Sequence, residues 1–171
     1  MAFVVEDGTG KSDANSYTSV AYADAYFADR GIATWVGTPQ EKETYLIRAT
    51  DYIDGRFASY FKGQQLYTGD PMQALQFPRD MFVGMPATLL KATCEYALRA
   101  IGSTLAPDPT YDPSGMQVAS NKTKVGPIET EVSFAAGSGN VRETIRSYPA
   151  ADMLIKPLLR GSSANGTVVR G

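Results

Sequence analysis

The sequence predicts a mainly α fold: a small helical bundle of three to four helices with long loops, a short β-strand or hairpin near 122–134 and an extended C-terminal arm. Three observations predict it. The stretch TPQEKETYLIRATDYIDGR, residues 38–56, has the start signal, apolar stripe and stop of one amphipathic helix. Two further stretches, 19–31 and 86–102, repeat helical spacing between a start signal and a glycine. Between them, glycine and proline interrupt the chain too often for other long elements.

The central helix is the best specified. Thr38 can cap its first turn, and Pro39 suits the first helical position, where a missing N–H costs nothing. Glu41, three residues after Thr38, completes a capping-box pattern. Tyr45, Leu46, Ala49, Tyr52 and Ile53 form one apolar stripe. Gly55 is expected to end the helix in a left-handed cap. Before it, Ser19 caps the stretch VAYADAYFADR, which Gly31 closes and whose buried stripe is Val20, Ala23, Tyr26 and Phe27. Trp35 lies in the link as a core anchor. After it, Pro86 opens a third helix whose inner face is Leu89, Leu90, Thr93, Cys94, Ala97 and Ile101. Pro149 opens a short fourth helix, 149–159, which Pro157 kinks or ends.

The remaining segments read as arms and loops. Residues 2–5, AFVV, suggest a short strand. Between Phe57 and Gly84, the side chains of Phe57, Tyr60, Phe61, Leu75, Phe77 and Phe82 are expected to cover the helices from a long ordered loop. Ile128, Thr130, Val132 and Phe134 alternate with Glu129, Glu131 and Ser133, the period of a half-exposed strand. Ile128, Glu129, Glu131 and Val132 are the candidate inter-subunit strand; Glu129 and Glu131 share a face that reads as solvated rather than magnesium-binding, since no second acidic pair accompanies them. We read 1–156 as one bundle domain with a β excursion at 103–141, and 157–171 as the arm.

Composition narrows the chemistry. The 171 residues contain no histidine and one cysteine, Cys94. That removes a Ser-His-Asp triad, a Cys-His pair and the commonest metal ligand. Cys94 reads as a small core residue. No catalytic activity, metal or cofactor is expected. Gly10-Lys11-Ser12 matches the end of a phosphate-binding loop, but Val5 stands where the first glycine belongs and no helix start follows. No apolar run is long enough to cross a bilayer, and MAFVVEDG carries no signal-peptide pattern. The net charge of −2 hides an asymmetry: residues 1–54 sum to −5 and residues 142–171 to +3. An acidic front and a basic end can meet head to tail between identical subunits. Neither has the strongly basic footprint of a nucleic-acid-binding domain.

Taken in order, several motifs form a series: DGTG (7–10), ANSYTSV (14–20), ADAYFADRG (23–31), YLIRATDYIDGRF (45–57), KG (62–63), QALQFPR (73–79), MPATLLKATCEYALRA (85–100), KVGPIETE (124–131) and YPAADMLIKPLLRG (148–161). The series resembles a tailed-bacteriophage family labelled DnaT-like single-stranded-DNA-binding protein, whose members look like head–tail connector, or adaptor, proteins. Tyr22 departs from the pattern, where an acidic residue would complete a capping box with Ser19. The resemblance implies a ring of about twelve copies beneath the portal protein in the virion neck, formed from subunits made in the host cytoplasm. Such a ring would extend the DNA channel, let double-stranded DNA pass without specific binding, and offer a face to a stopper or tail-completion protein. Within the arm, Leu158, Leu159, Arg160, Thr167, Val168, Val169 and Arg170 are then the candidate contacts to portal or neighbour, with 167–169 adding as a strand to an exposed sheet edge. The second reading, from a different class, is a single-stranded-DNA-binding or replication-accessory protein.

Overall fold

The computed structural model describes residues 2–107, 120–125, 128–133 and 146–161. Four helices, α1 (Val20–Ala28), α2 (Pro39–Phe57), α3 (Ala87–Ala100) and α4 (Pro149–Ile155), belong to one compact unit. Two strands, β1 (Ser120–Val125) and β2 (Ile128–Ser133), belong to a second. The fold is mainly helical with long loops.

α2 forms as its sequence requires. The Thr38 hydroxyl accepts from the Glu41 N–H, and the Glu41 carboxylate accepts from the Thr38 N–H at 2.7 Å, a complete capping box. Leu46, Ala49, Thr50, Ile53 and Phe57 are its buried face, while Tyr45 and Tyr52 are half-buried. The helix does not stop at Gly55. It runs to Phe57, and Gly55 keeps right-handed backbone, because burying Phe57 gives the last turn a packing gain that outweighs glycine's poor helix propensity.

α1 is shorter than the stretch read for it. Ser19 caps it, accepting from the Tyr22 N–H, and it ends at Ala28. Gly31 at φ +63 closes the next turn, with the Gly31 N–H on the Ala28 carbonyl. Ala23, Tyr26 and Phe27 are buried, and Trp35 packs on Phe27 with ring centroids 4.9 Å apart. α3 buries Leu89, Ala92, Thr93, Cys94, Tyr96, Ala97 and Ala100. Burial pushes the Cys94 thiol up to about 12, so this sulfur packs as a small apolar group.

Three expectations need correction. Residues 2–5 form no strand: Val5 makes one isolated parallel bridge to Ser16, and the Asn15 side chain supplies the next bond by accepting from the Val4 N–H. A side-chain amide replaces the backbone partner that a second rung would need. The arm does not leave the subunit at Pro157. A 3-10 turn at Lys156–Leu158 continues α4, Leu158 is buried in the core, and Leu159 pairs with Phe61 in an antiparallel bridge. Two leucines beside a shelf of phenylalanines gain more by docking than by staying in water. Finally, Tyr60 does not cover the helices but faces solvent, while Phe57, Phe61, Leu75 and Phe77 are buried as expected.

β1 and β2 pair antiparallel, setting Lys124 opposite Glu129 and Lys122 opposite Glu131. The two glutamates that suggested an acidic pair thus occupy register positions opposite lysines. Ile128 and Val132 lie in the same strand, and Phe134 lies outside the described residues.

Candidate functional site

The loop that leaves α2 carries the most unusual surface. It is held rigidly from beneath. Gln73, buried, accepts from the Tyr67 N–H at 3.0 Å and donates to the carbonyls of Leu75 and Pro78. The Gln76 N–H donates to the Asp54 carboxylate at 3.0 Å, and the Tyr17 hydroxyl donates to the other oxygen of the same group. Burial raises Asp54 from an ordinary 3.8 to about 6.

Two guanidinium groups then converge on one piece of backbone. Arg79, only 6% exposed, donates to the Lys62 carbonyl at 2.9 Å, to Gln76, and to the Gly63 carbonyl at 2.6 Å. Arg160 donates to the Phe61 carbonyl at 2.9 Å and reaches the Gly63 carbonyl at 3.4 Å. Gly63 sits at φ +70, and a Cβ there would run into Met81 and Asp80, so glycine is needed for both backbone and space. Burial, and then the charge of Arg160, lower the pKa of Arg79. Among the described residues neither arginine has a carboxylate in ion-pair contact. Lys62 lies in the same cluster, its ammonium on the Pro157 carbonyl at 2.8 Å.

Around this cation cluster and along the same loop, large apolar side chains are exposed: Tyr60, Leu66, Tyr67, Met72, Met81 and Val83. Val83 is fully in solvent, at 105% relative exposure. A rigid loop that holds so many apolar groups outward has the character of a contact surface rather than of a disordered connector.

Elsewhere the tyrosines are spent internally. Asp152 on α4 accepts from the Tyr96 hydroxyl, pairs with Arg56 at 3.1 Å and accepts from the Tyr148 N–H at 3.1 Å. Tyr52, Tyr96 and Tyr148 pack against one another around that carboxylate. This cluster docks α4 on α2 and α3; it is structural.

The stretch resembling a phosphate-binding loop has a specific fate. The Glu6 side chain, 2% exposed, accepts the N–H groups of Gly8, Gly10 and Lys11, each at 2.8 Å. The nest of backbone donors that would cradle a phosphate is filled by the chain's own carboxylate. Lys11, which would reach a phosphate, pairs instead with Asp7 at 2.9 Å.

Of the candidate arm residues, Leu158 is in the core, Leu159 is half-buried against Phe61, and Arg160 is in the cation cluster. Thr167, Val168, Val169 and Arg170 lie outside the described residues. The candidate strand residues Ile128, Glu129, Glu131 and Val132 sit in the separate β unit. Sequence reading placed Lys62-Gly63 and QALQFPR, with Arg79, in the motif series but gave them no role, and did not single out Met81; these motifs have no periodicity to give them a face.

Comparison with known families adds one decisive finding. Residues 1–171 match the family described as "Putative DnaT-like ssDNA binding protein". The chain belongs to this family. No curated protein and no solved structure matches it. Of the two functional readings, the DnaT-like family description names the single-stranded-DNA one.

Proposed function

We propose that the chain is a structural assembly subunit, a ring-forming head–tail connector of a tailed bacteriophage, which docks on protein partners through the loop after α2. The observation that carries this reading is the exposed apolar series Tyr60, Leu66, Tyr67, Met72, Met81 and Val83 on a loop pinned by Gln73 and Asp54. Thioether and aliphatic groups gain from burial against another protein and gain nothing from phosphate. The acidic net charge of −2 also favours the connector form of the reading, since it suits a channel wall that must not grip DNA. Incubating the full chain with portal-bearing heads tests it. Binding at the portal vertex is expected; a chain that leaves those heads bare would overturn it.

A second reading, binding of single-stranded DNA, has the family description in its favour. It also has one geometric feature: Arg79, Arg160 and Lys62, which have no ion-paired carboxylate among the described residues, near an exposed Tyr60 that a base could stack on. Titrating a labelled oligonucleotide across a salt series decides it. A steep loss of affinity with salt, and loss of binding in Arg160→Glu, would support this reading.

A further inference from the structure

We infer that the subunit has two mutually complementary poles at opposite ends of α2, and that the partner fitting both is a second copy of this chain docked head to tail. The inference rests on the ring reading above and names the surfaces that would meet. α2 has 19 residues, so its ends are separated by about 28 Å at 1.5 Å per residue.

At the first end, the turn of α1 into α2 gathers Asp24, Asp29, Glu41 and Glu43. Two cations there are already engaged. Arg30 lies over the Tyr26 ring at 3.6 Å and donates to the Tyr26 carbonyl, while Lys42 is held by Asp24 at 2.8 Å. Among the described residues Asp29 and Glu43 have no ion-pair partner. The N–H and hydroxyl of Thr38 hold Glu41 below the usual carboxylate range, so it stays charged at neutral pH. Val36 stands beside these acids, 58% exposed.

At the other end the pattern is reversed. Lys62, Lys156 and Arg160 gather around the buried Arg79; Asp80 lies beside them and acts on Arg79, but among the described residues none of the four cations is in an ion pair, and Tyr60 and Met81 stand exposed nearby, Met81 at 64%. Each pole therefore combines an excess of charge of one sign with exposed apolar surface. A nucleic-acid strand would satisfy the basic pole and leave the acidic pole and Val36 unexplained. A second copy satisfies both. Because the poles lie at opposite ends of the helix, one contact leaves an outer pole of each sign free, so association continues until a ring closes.

The test uses the full chain carrying V36C and M81C, one thiol at each pole; the native Cys94 is buried and stays out of the reaction. Mild oxidation at low ionic strength should give a ladder of covalent species beyond the dimer, whereas either cysteine alone should stop at dimer. Raised salt should suppress the ladder, since charge steers the encounter. Arg160→Glu should suppress it at least several-fold, and Glu43→Lys in the same chain should restore it. Lys156→Glu, at an exposed residue with no side-chain hydrogen bond among the described residues, repeats the test without touching the Arg160 bonds; circular dichroism confirms that each variant is folded. No species beyond dimer, or a ladder indifferent to both reversals, would overturn the inference. So would an Arg160→Glu chain that loses oligonucleotide binding but keeps the ladder. If the ladder fails while the chain still loads onto portal-bearing heads, these surfaces fall and the ring reading stands.

Discussion

Asp54 shows how one residue ties the core to the contact loop. It lies on the polar side of α2 in sequence, yet its carboxylate is buried between the Tyr17 hydroxyl and the Gln76 N–H. Its folded pKa of about 6 lies above the ordinary 3.8, so the folded state binds the proton more tightly than the unfolded chain. The contribution of Asp54 is therefore most favourable below pH 4 and declines as pH rises through about 6. Asp7, Asp24 and Glu41 have lowered values and act in the opposite sense, losing their contribution as the solution becomes more acidic. We expect Asp54→Asn to flatten the fall in unfolding free energy between pH 4 and 6, as read by denaturant titrations at each pH. An unchanged pH profile would refute this. Leu46 makes the simpler case. It is fully buried, and Leu46→Ala should cost about 2–5 kcal/mol. A denaturation midpoint equal to the parent's would count against its place in the core.

Single residues also mark where sequence reading stops. Leu46 was legible because periodicity alone assigns it a face. Glu6, Asp54, Gln73 and Arg79 were not, because a polar side chain is buried only when irregular backbone supplies its partners, near in the chain for Glu6 and Gln73 and distant for Asp54 and Arg79. Those partners come from irregular segments, where no period announces them.

At the scale of elements, local chemistry set the helix starts well and the helix ends poorly. The capping box of α2 is an interaction among four consecutive positions, so the sequence specifies it. Thr38→Ala should cost about 0.5–2 kcal/mol, and Thr38→Ser should recover most of it; a thermal melt that cannot tell the three apart would remove the cap from the account. The C-terminus of α2 depends instead on Phe57 packing on Phe61, which meets Phe77 and pairs with Leu159 from far along the chain. The same contacts moved the start of the arm. Residues 158–160 are paired with 60–62 through the Lys62 N–H on Leu158 and the Arg160 N–H on Tyr60. Deleting residues 162–171 should therefore leave helical content and melting nearly intact, because the docked pair remains. Leu158→Ala should lower both. Truncation that melts the subunit as Leu158→Ala does would show that the docked segment extends further.

For the molecule as a whole, the fold class and the family were legible from the sequence, and the exposed apolar surface was not. Apolar periodicity reports which side chains go in, but nothing in it separates Met81, which is exposed, from Phe77, four residues earlier, which is buried. The charge asymmetry was visible as a tally along the chain; its inferred grouping at the two ends of α2 needed the structure. The central claim is that this surface docks protein rather than single-stranded DNA. Sedimentation velocity of the full chain with a fluorescent single-stranded oligonucleotide at physiological salt tests it most directly. The account predicts that the label sediments free, with any affinity no tighter than about micromolar, the ordinary non-specific range. Label that travels with the protein at nanomolar concentration would contradict it.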